Sequence, residues 1–260
     1  MTATRRTARS VGPTSHGSRP TTAVRLLASA LMVLTFAGPA QAAGGVIRRD
    51  ECEGPDRTWV LTAGEMRWHN GTCIPEAGQF RMHTSASYGD ASMTVRFYLR
   101  GWNTKRPYLS PATTTGVPLR GIRVIARWRS RDSLYYIAVE RSAEYGEELL
   151  VEKKRPIPGC VPQTAVQCGT YHTLGRFPNV TPERLGWHTV KVAAADSADG
   201  VSVRLRVWYD GLFAGTVWDD GTIGRPALRG SAPFGWRSDN AYSRIDWVVW
   251  SPASAAPARP

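Results

Sequence analysis

The stretch VSVRLRVWYDG, Val201 to Gly211, alternates along its length. Val201, Val203, Leu205, Val207 and Tyr209 form one set, and Ser202, Arg204, Arg206, Trp208 and Asp210 the other. Residues two apart share a face of a β-strand. The first set therefore reads as a core face, and the second as an outward face with two arginines and a tryptophan. Asp210-Gly211 ends the run with a pair that tolerates the positive φ of a tight hairpin turn.

The same pattern recurs through the chain. Short alternating runs separated by turn residues include TWVLTA, RWHNGTCIP, GQFRMHTS, ASMTVRFYLRGW, GIRVIARWRS, SLYYIAVERS, EELLVEKKRP, YHTLGRF, GWHTVKVAAAD, LFAGTVWDD, APFGWRSD and YSRIDWVVW. Helical periodicity is nearly absent after residue 45. So many short strands exceed a minimal immunoglobulin sandwich and predict an all-β, two-sheet antiparallel jelly roll over residues 57–251. RSAEYGEE and SADG read as further turns. Residues 103–118, NTKRPYLSPATTTGVP, read as a long Pro/Thr-rich loop of a kind that is often functional. Residues 43–56 read as an N-terminal segment, and 252–260 as a disordered tail. No internal repeat divides the chain.

Residues 1–42 have the grammar of a secretory signal peptide. Arg5, Arg6, Arg9, Arg19 and Arg25 precede the apolar run LLASALMVLTFAG, and Ala40-Gln41-Ala42 supplies the cleavage site. The run is short for a membrane span, so a cleaved chain is expected to be secreted without one. The formal charge of +12 falls to +7 without those five arginines, which still favours an acidic partner. Cys52, Cys73, Cys160 and Cys168 are an even set behind a signal peptide and imply disulfides. The local pairs Cys52–Cys73 and Cys160–Cys168 close the shortest loops. A zinc site lacks the C-x-x-C spacing and a matching histidine set.

The order YYIAVERS, LLVEKK, YHTLG, GWHTVKV, VRLRVWYDG and GWRSDNAYSRIDWVVW resembles the concanavalin A-like lectin/glucanase superfamily, in particular its laminin-G-like and carbohydrate-binding members. The resemblance implies a jelly roll whose first and last strands lie side by side, with a glycan as partner. It also implies a structural calcium ion near those strands, held by Asp246 and by an N-terminal acid among Asp50, Glu51, Glu53 and Asp56. Calcium takes six to eight oxygens, of which the sequence identifies one.

The superfamily's glucanases carry acids in the pattern E-x-D-x-E on one strand face, and this sequence has no such motif. Glu140, Glu144, Glu147, Glu148 and Glu152 follow no such alternation. There is also no G-x-S-x-G, H-E-x-x-H or phosphate-binding glycine loop. What remains is a set of basic and aromatic residues opposite the core positions. Arg96, Tyr98, Arg100 and Trp102 lie opposite Met93, Val95, Phe97 and Leu99. Arg123, Arg127 and Arg129 lie opposite Ile122, Val124, Ala126 and Trp128. Tyr136 and Glu140 lie opposite Tyr135, Ile137 and Val139, and Arg204, Arg206 and Trp208 complete the set, with Lys191 nearby.

Guanidinium groups grip carboxylate or sulfate, and aromatic rings cover the apolar faces of sugars. The expected function is binding of an acidic extracellular polysaccharide or cell-surface glycan, without catalysis. The expected groove gathers Arg96, Tyr98, Arg100, Trp102, Arg127, Tyr136, Arg204, Arg206 and Trp208. A lyase, with Tyr98 or Tyr136 as proton carrier beside an arginine, is the enzymatic alternative. An adhesive domain without a sugar site is the structural one. Nucleic acid fits the charge but not a secreted chain.

Overall fold

The computed structural model describes residues 47–55, 57–103, 120–142, 146–160, 168–180, 182 and 185–254. These belong to the unit Gln41–Pro260. The segments read as a signal peptide, as the long loop beyond Asn103 and as the last six residues of the tail lie outside the described residues.

The strands are β1 (Arg48–Asp50), β2 (Trp59–Ala63), β3 (Met66–His69), β4 (Thr72–Pro75), β5 (Gln79–Thr84), β6 (Ala91–Trp102), β7 (Arg120–Ser130), β8 (Ser133–Ser142), β9 (Gly146–Pro156), β10 (Gly169–Arg176), β11 (Gly186–Asp196), β12 (Val203–Tyr209), β13 (Leu212–Asp219), β14 (Gly235–Asp239) and β15 (Ala241–Pro252). They form two antiparallel sheets. The eight-stranded sheet runs β13-β12-β11-β6-β15-β4-β3, with β1 also paired to β15. The seven-stranded sheet runs β10-β9-β8-β7-β14-β5-β2. This is a jelly-roll sandwich, and its first and last strands pair through Arg48–Trp250 and Asp50–Val248.

The core lies between the sheets. Met93, Val95, Phe97 and Leu99 of β6 and Val203, Leu205 and Val207 of β12 pack from one side. Ile122 and Val124 of β7, Tyr135, Ile137 and Val139 of β8 and Trp236 of β14 pack from the other. Alternation places these residues correctly, because each strand has one face toward the opposing sheet.

The differences from the sequence reading have local causes. Val201 precedes β12 and is 61% exposed, so it is not a core residue. RWHNGTCIP is a hairpin, β3 and β4, because Asn70 and Gly71 take φ of 47° and 68°. β1 brings part of the N-terminal segment into the eight-stranded sheet. Trp102 turns toward the core because Arg100 is an extra residue opposite β15, which reverses the alternation beyond it. Trp128 leaves the core face at a larger irregularity, where Arg127, Trp128 and Arg129 stand against the single residue Leu134. The β7–β8 register breaks after Ala126, and Arg127 takes φ of 55°. Trp128 then packs with Ile125, Leu134 and Tyr136 on the outward side.

The disulfides are the local pairs, Cys52–Cys73 and Cys160–Cys168. No helix among the described residues is long and apolar enough to cross a membrane.

Candidate functional site

The outward face of the eight-stranded sheet carries most of the expected residues. Register places Trp208 of β12 opposite Lys191 of β11, and Lys191 opposite Thr94 of β6. The Trp208 ring lies between two cations, with Lys191 Nζ and Arg206 Cζ each 4.9 Å from its centroid. Arg206 also sits 5.0 Å from the ring of Phe213, which packs 5.3 Å from Trp208. A depression of about 210 Å³ opens beside them, lined by Thr94, Thr189, Lys191, Trp208 and Gly211.

Among the described residues, neither Lys191 nor Arg206 has a carboxylate within ion-pair distance. Partial burial lowers the Lys191 pKa, and Arg206 lowers it further. Burial and then Arg206 do the same to Arg204. Positive charge is thus concentrated here against its own repulsion. An anionic ligand relieves that repulsion, and the ring between the cations offers a flat apolar surface.

Along β6 the face continues. Arg96 Nη1 donates to Asp246 Oδ2 at 3.0 Å, and its guanidinium lies 4.8 Å over Trp187. Tyr98 meets the same indole edge-on at 5.3 Å. Trp187 is 44% exposed. Arg100 lines a cleft between β3, β4, β6 and β15.

The single groove expected from alternation is not formed, because the strands divide between two sheets. Arg96, Tyr98, Arg100, Arg204, Arg206 and Trp208 share the outward face of the eight-stranded sheet. Trp102 packs toward the core, and its indole donates to Glu147. Arg127 is fully buried, and its guanidinium donates to Asp90 at 3.1 Å, to Asp196 at 3.3 Å and to the Gly230 carbonyl. It ties the end of the seven-stranded sheet to the neighbouring one. Tyr136 faces outward from the seven-stranded sheet but is buried there.

Tyr136 lies in a polar layer that sequence reasoning missed. Arg81, Arg237 and Arg123 stand side by side on β5, β14 and β7. Asp239 accepts from Arg237 at 2.7 and 2.9 Å and also from Arg123. Glu140 accepts from Arg123, and the Tyr136 and Tyr171 hydroxyls each lie 3.0 Å from Arg237 Nη1. Burial raises the Tyr136 pKa, but Arg237, Arg81 and Lys154 outweigh it and hold the phenol below its ordinary value. Burial pushes Tyr171 up to about 12. The alternation of "FRM" and "GWRSD" carried the signal, since it puts Arg81, Arg237 and Asp239 on one face. Only the strand order makes them neighbours.

Three of the acids implied for calcium are engaged with protein donors, and Asp56 lies outside the described residues. Asp246 accepts from Arg96, Glu51 from Arg49, and Asp50 from the Cys52 backbone N–H at 2.8 Å and the Trp59 indole at 2.5 Å. A calcium ion here would have to displace these contacts. Among the described residues no group of three or more His, Cys, Asp or Glu is placed to hold a metal.

No family model matches the chain, and no curated protein matches it. Several solved structures are similar to it. The carbohydrate binding module CBM66 from Bacillus subtilis is 13% identical with a TM-score of 0.48, over 75% of this chain and 92% of that one. The metal-free carbohydrate recognition domain of Emp46p is 9% identical with a TM-score of 0.48, over 78% and 94%. A putative beta-glucanase from Mycobacterium abscessus is 14% identical with a TM-score of 0.45, over 79% and 100%. The jelly roll itself rests on the strand order and register given above.

Proposed function

We propose that this chain is a carbohydrate-binding domain whose ligand is an acidic extracellular polysaccharide, held on the outward face of the eight-stranded sheet. The observation that carries this reading is Trp208 between Lys191 and Arg206, two cations without a carboxylate partner among the described residues. The rings of Trp208, Phe213 and Trp187 cover sugar faces, and Arg206 and Lys191 hold the carboxylate or sulfate groups. Two disulfides support an extracellular setting.

The test is calorimetric titration with a uronate polymer and a neutral glucan. The uronate polymer is expected to bind, with affinity that weakens as salt rises. Arg206→Ala is expected to weaken it by about 1–2 kcal/mol, roughly tenfold. A salt-independent affinity, or equal binding of the neutral glucan, overturns the acidic reading.

A second reading is β-elimination on a uronate polymer; Tyr136 is fully buried and out of reach of a polymer, so Tyr98, on the outward face with Arg96 beside the same Trp187 ring, is the proton carrier this reading would use. The proton next to the carboxylate passes to the base, a C=C bond forms as the adjacent C–O bond breaks, and the departing glycosidic oxygen takes a proton back from the protonated base or from water. New ultraviolet absorbance abolished by Tyr98→Phe establishes it; no absorbance leaves binding.

A further inference from the structure

We propose that the cleft between β3, β4, β6 and β15 is a second attachment point for the same polymer, so that one acidic chain crosses the eight-stranded sheet diagonally. This rests on the reading of that face as a surface for acidic glycans.

The cleft has about 390 Å³, within the range of small-ligand sites. Arg67, Arg100 and Arg244 line it, and among the described residues none has a carboxylate within ion-pair distance. Glu65 and Glu76 face each other across the β3–β4 hairpin, where the Glu76 N–H donates to the Glu65 carbonyl at 2.9 Å. Tyr242, 42% exposed, forms a further wall. The chemistry is that of a uronic acid unit. Guanidinium groups take its carboxylate, the glutamates accept from its hydroxyls, and the phenol ring covers its apolar face.

The register fixes where the cleft stands relative to the Trp208 patch. Arg244 lies opposite Tyr98, and Tyr98 opposite Trp187. Thr94, four residues earlier on β6, lies opposite Lys191, which lies opposite Trp208. From β12 to β15 is three strand spacings of about 4.8 Å, and from Thr94 to Tyr98 four rises of about 3.3 Å, which together give a diagonal of about 20 Å. Arg96, Trp187 and Tyr98 lie along that diagonal, so cationic and aromatic contacts continue from one site to the other. A disaccharide is too short to reach both sites, and an octamer is not. Once one site is filled, the other is bound at a high effective concentration.

The experiment is calorimetry of the protein with oligogalacturonates from disaccharide to octamer. The octamer is expected to bind with one-to-one stoichiometry and on the order of 10–100-fold more tightly than the disaccharide. The double variant Arg100→Ala/Arg244→Ala, checked for an unchanged melting temperature, is expected to bring the octamer down to disaccharide affinity. An octamer that binds no more tightly than the disaccharide, or that is indifferent to the double variant, overturns the bridging proposal while the face reading stands. If no uronate oligomer binds at any length, the face reading itself fails.

Discussion

Asp239 carries more than its share of the fold at the scale of single residues. It neutralises Arg237 and Arg123 together, and all three side chains are at most 2% exposed. Arg81, the third of the row, donates to Thr62 at 2.8 Å and lies 5.2 Å over the face of Trp128. Burial lowers its pKa. Asp239→Asn removes the negative charge and leaves Arg237 buried without a carboxylate, Arg123 keeping Glu140, so it is expected to cost about 3–5 kcal/mol in denaturant unfolding. A loss within experimental error would mean that Arg237 finds other acceptors. Asp199 offers a pH test. Backbone N–H groups of Ser202 and Val201 hold its carboxyl down to about 2. A depressed folded pKa contributes stability above the unfolded value, about 3.9, and that contribution is lost as pH falls through about 2. Titration by NMR should place the Asp199 midpoint near 2; a midpoint at the ordinary aspartate value would contradict the turn geometry.

At the scale of elements, bulges decide where alternation can be trusted. The runs Val203 to Tyr209 and Met93 to Leu99 were legible because the irregularities beside them fall on the partner strands, at Ala214 of β13 and Asp246 of β15, and leave their own alternation intact. Trp102 and Trp128 were not legible. One extra residue at Arg100 in one case, and two within Arg127–Arg129, where Arg127 takes a positive φ, in the other, change the side on which the following side chain falls. Turn chemistry was legible where it was taken at its word, as at Asp210-Gly211, with φ of 48° and 79°. Asn70-Gly71 carries the same signal inside a run read as one strand. Close pairing of β5 with β14 depends on Gly235. A Cβ there would stand 2.3 Å from the Met82 carbonyl and 3.0 Å from the His83 Cα. Backbone cannot yield as a side-chain tip can, so Gly235→Ala is expected to destabilise by about 1–3 kcal/mol, read as a lower denaturation midpoint. An unchanged midpoint would mean that the sheet opens there without cost.

At the scale of the whole molecule, the two sheets are joined by polar ties as well as by the core. Arg127 reaches Asp90 and Asp196 across one end. Tyr135 and Lys153 of the seven-stranded sheet both meet Asp219 of β13, at 2.5 Å and 2.8 Å. Cys52–Cys73 fastens the segment after β1 to β4 over a separation of 21 residues. By loop-closure entropy, replacing both cysteines with serine is expected to cost about 3 kcal/mol, measured as a lower melting temperature. A loss well below this would show that the β1–β15 pairing alone holds the segment. Because Asp246, Asp50 and Glu51 already have protein donors, a chelator is expected to leave the melting temperature unchanged. A fall on chelation would establish a structural cation.

The sequence by itself determined most of the strands, the inward face of those without a bulge, and which residue types stand outside. Those properties follow from nearest neighbours along the chain: a period of two, turn pairs and short loops. The tertiary structure decided the sheet to which each outward face belongs. Arg96, Arg206 and Trp208 came to one face, Arg127 to a tie between sheets, and Tyr136 to a buried layer with Arg237 and Asp239. The physical reason is that strand order is set by packing across the whole sandwich. β6 pairs with β15 through residues some 150 positions apart, and alternation along one strand carries no information about that partner.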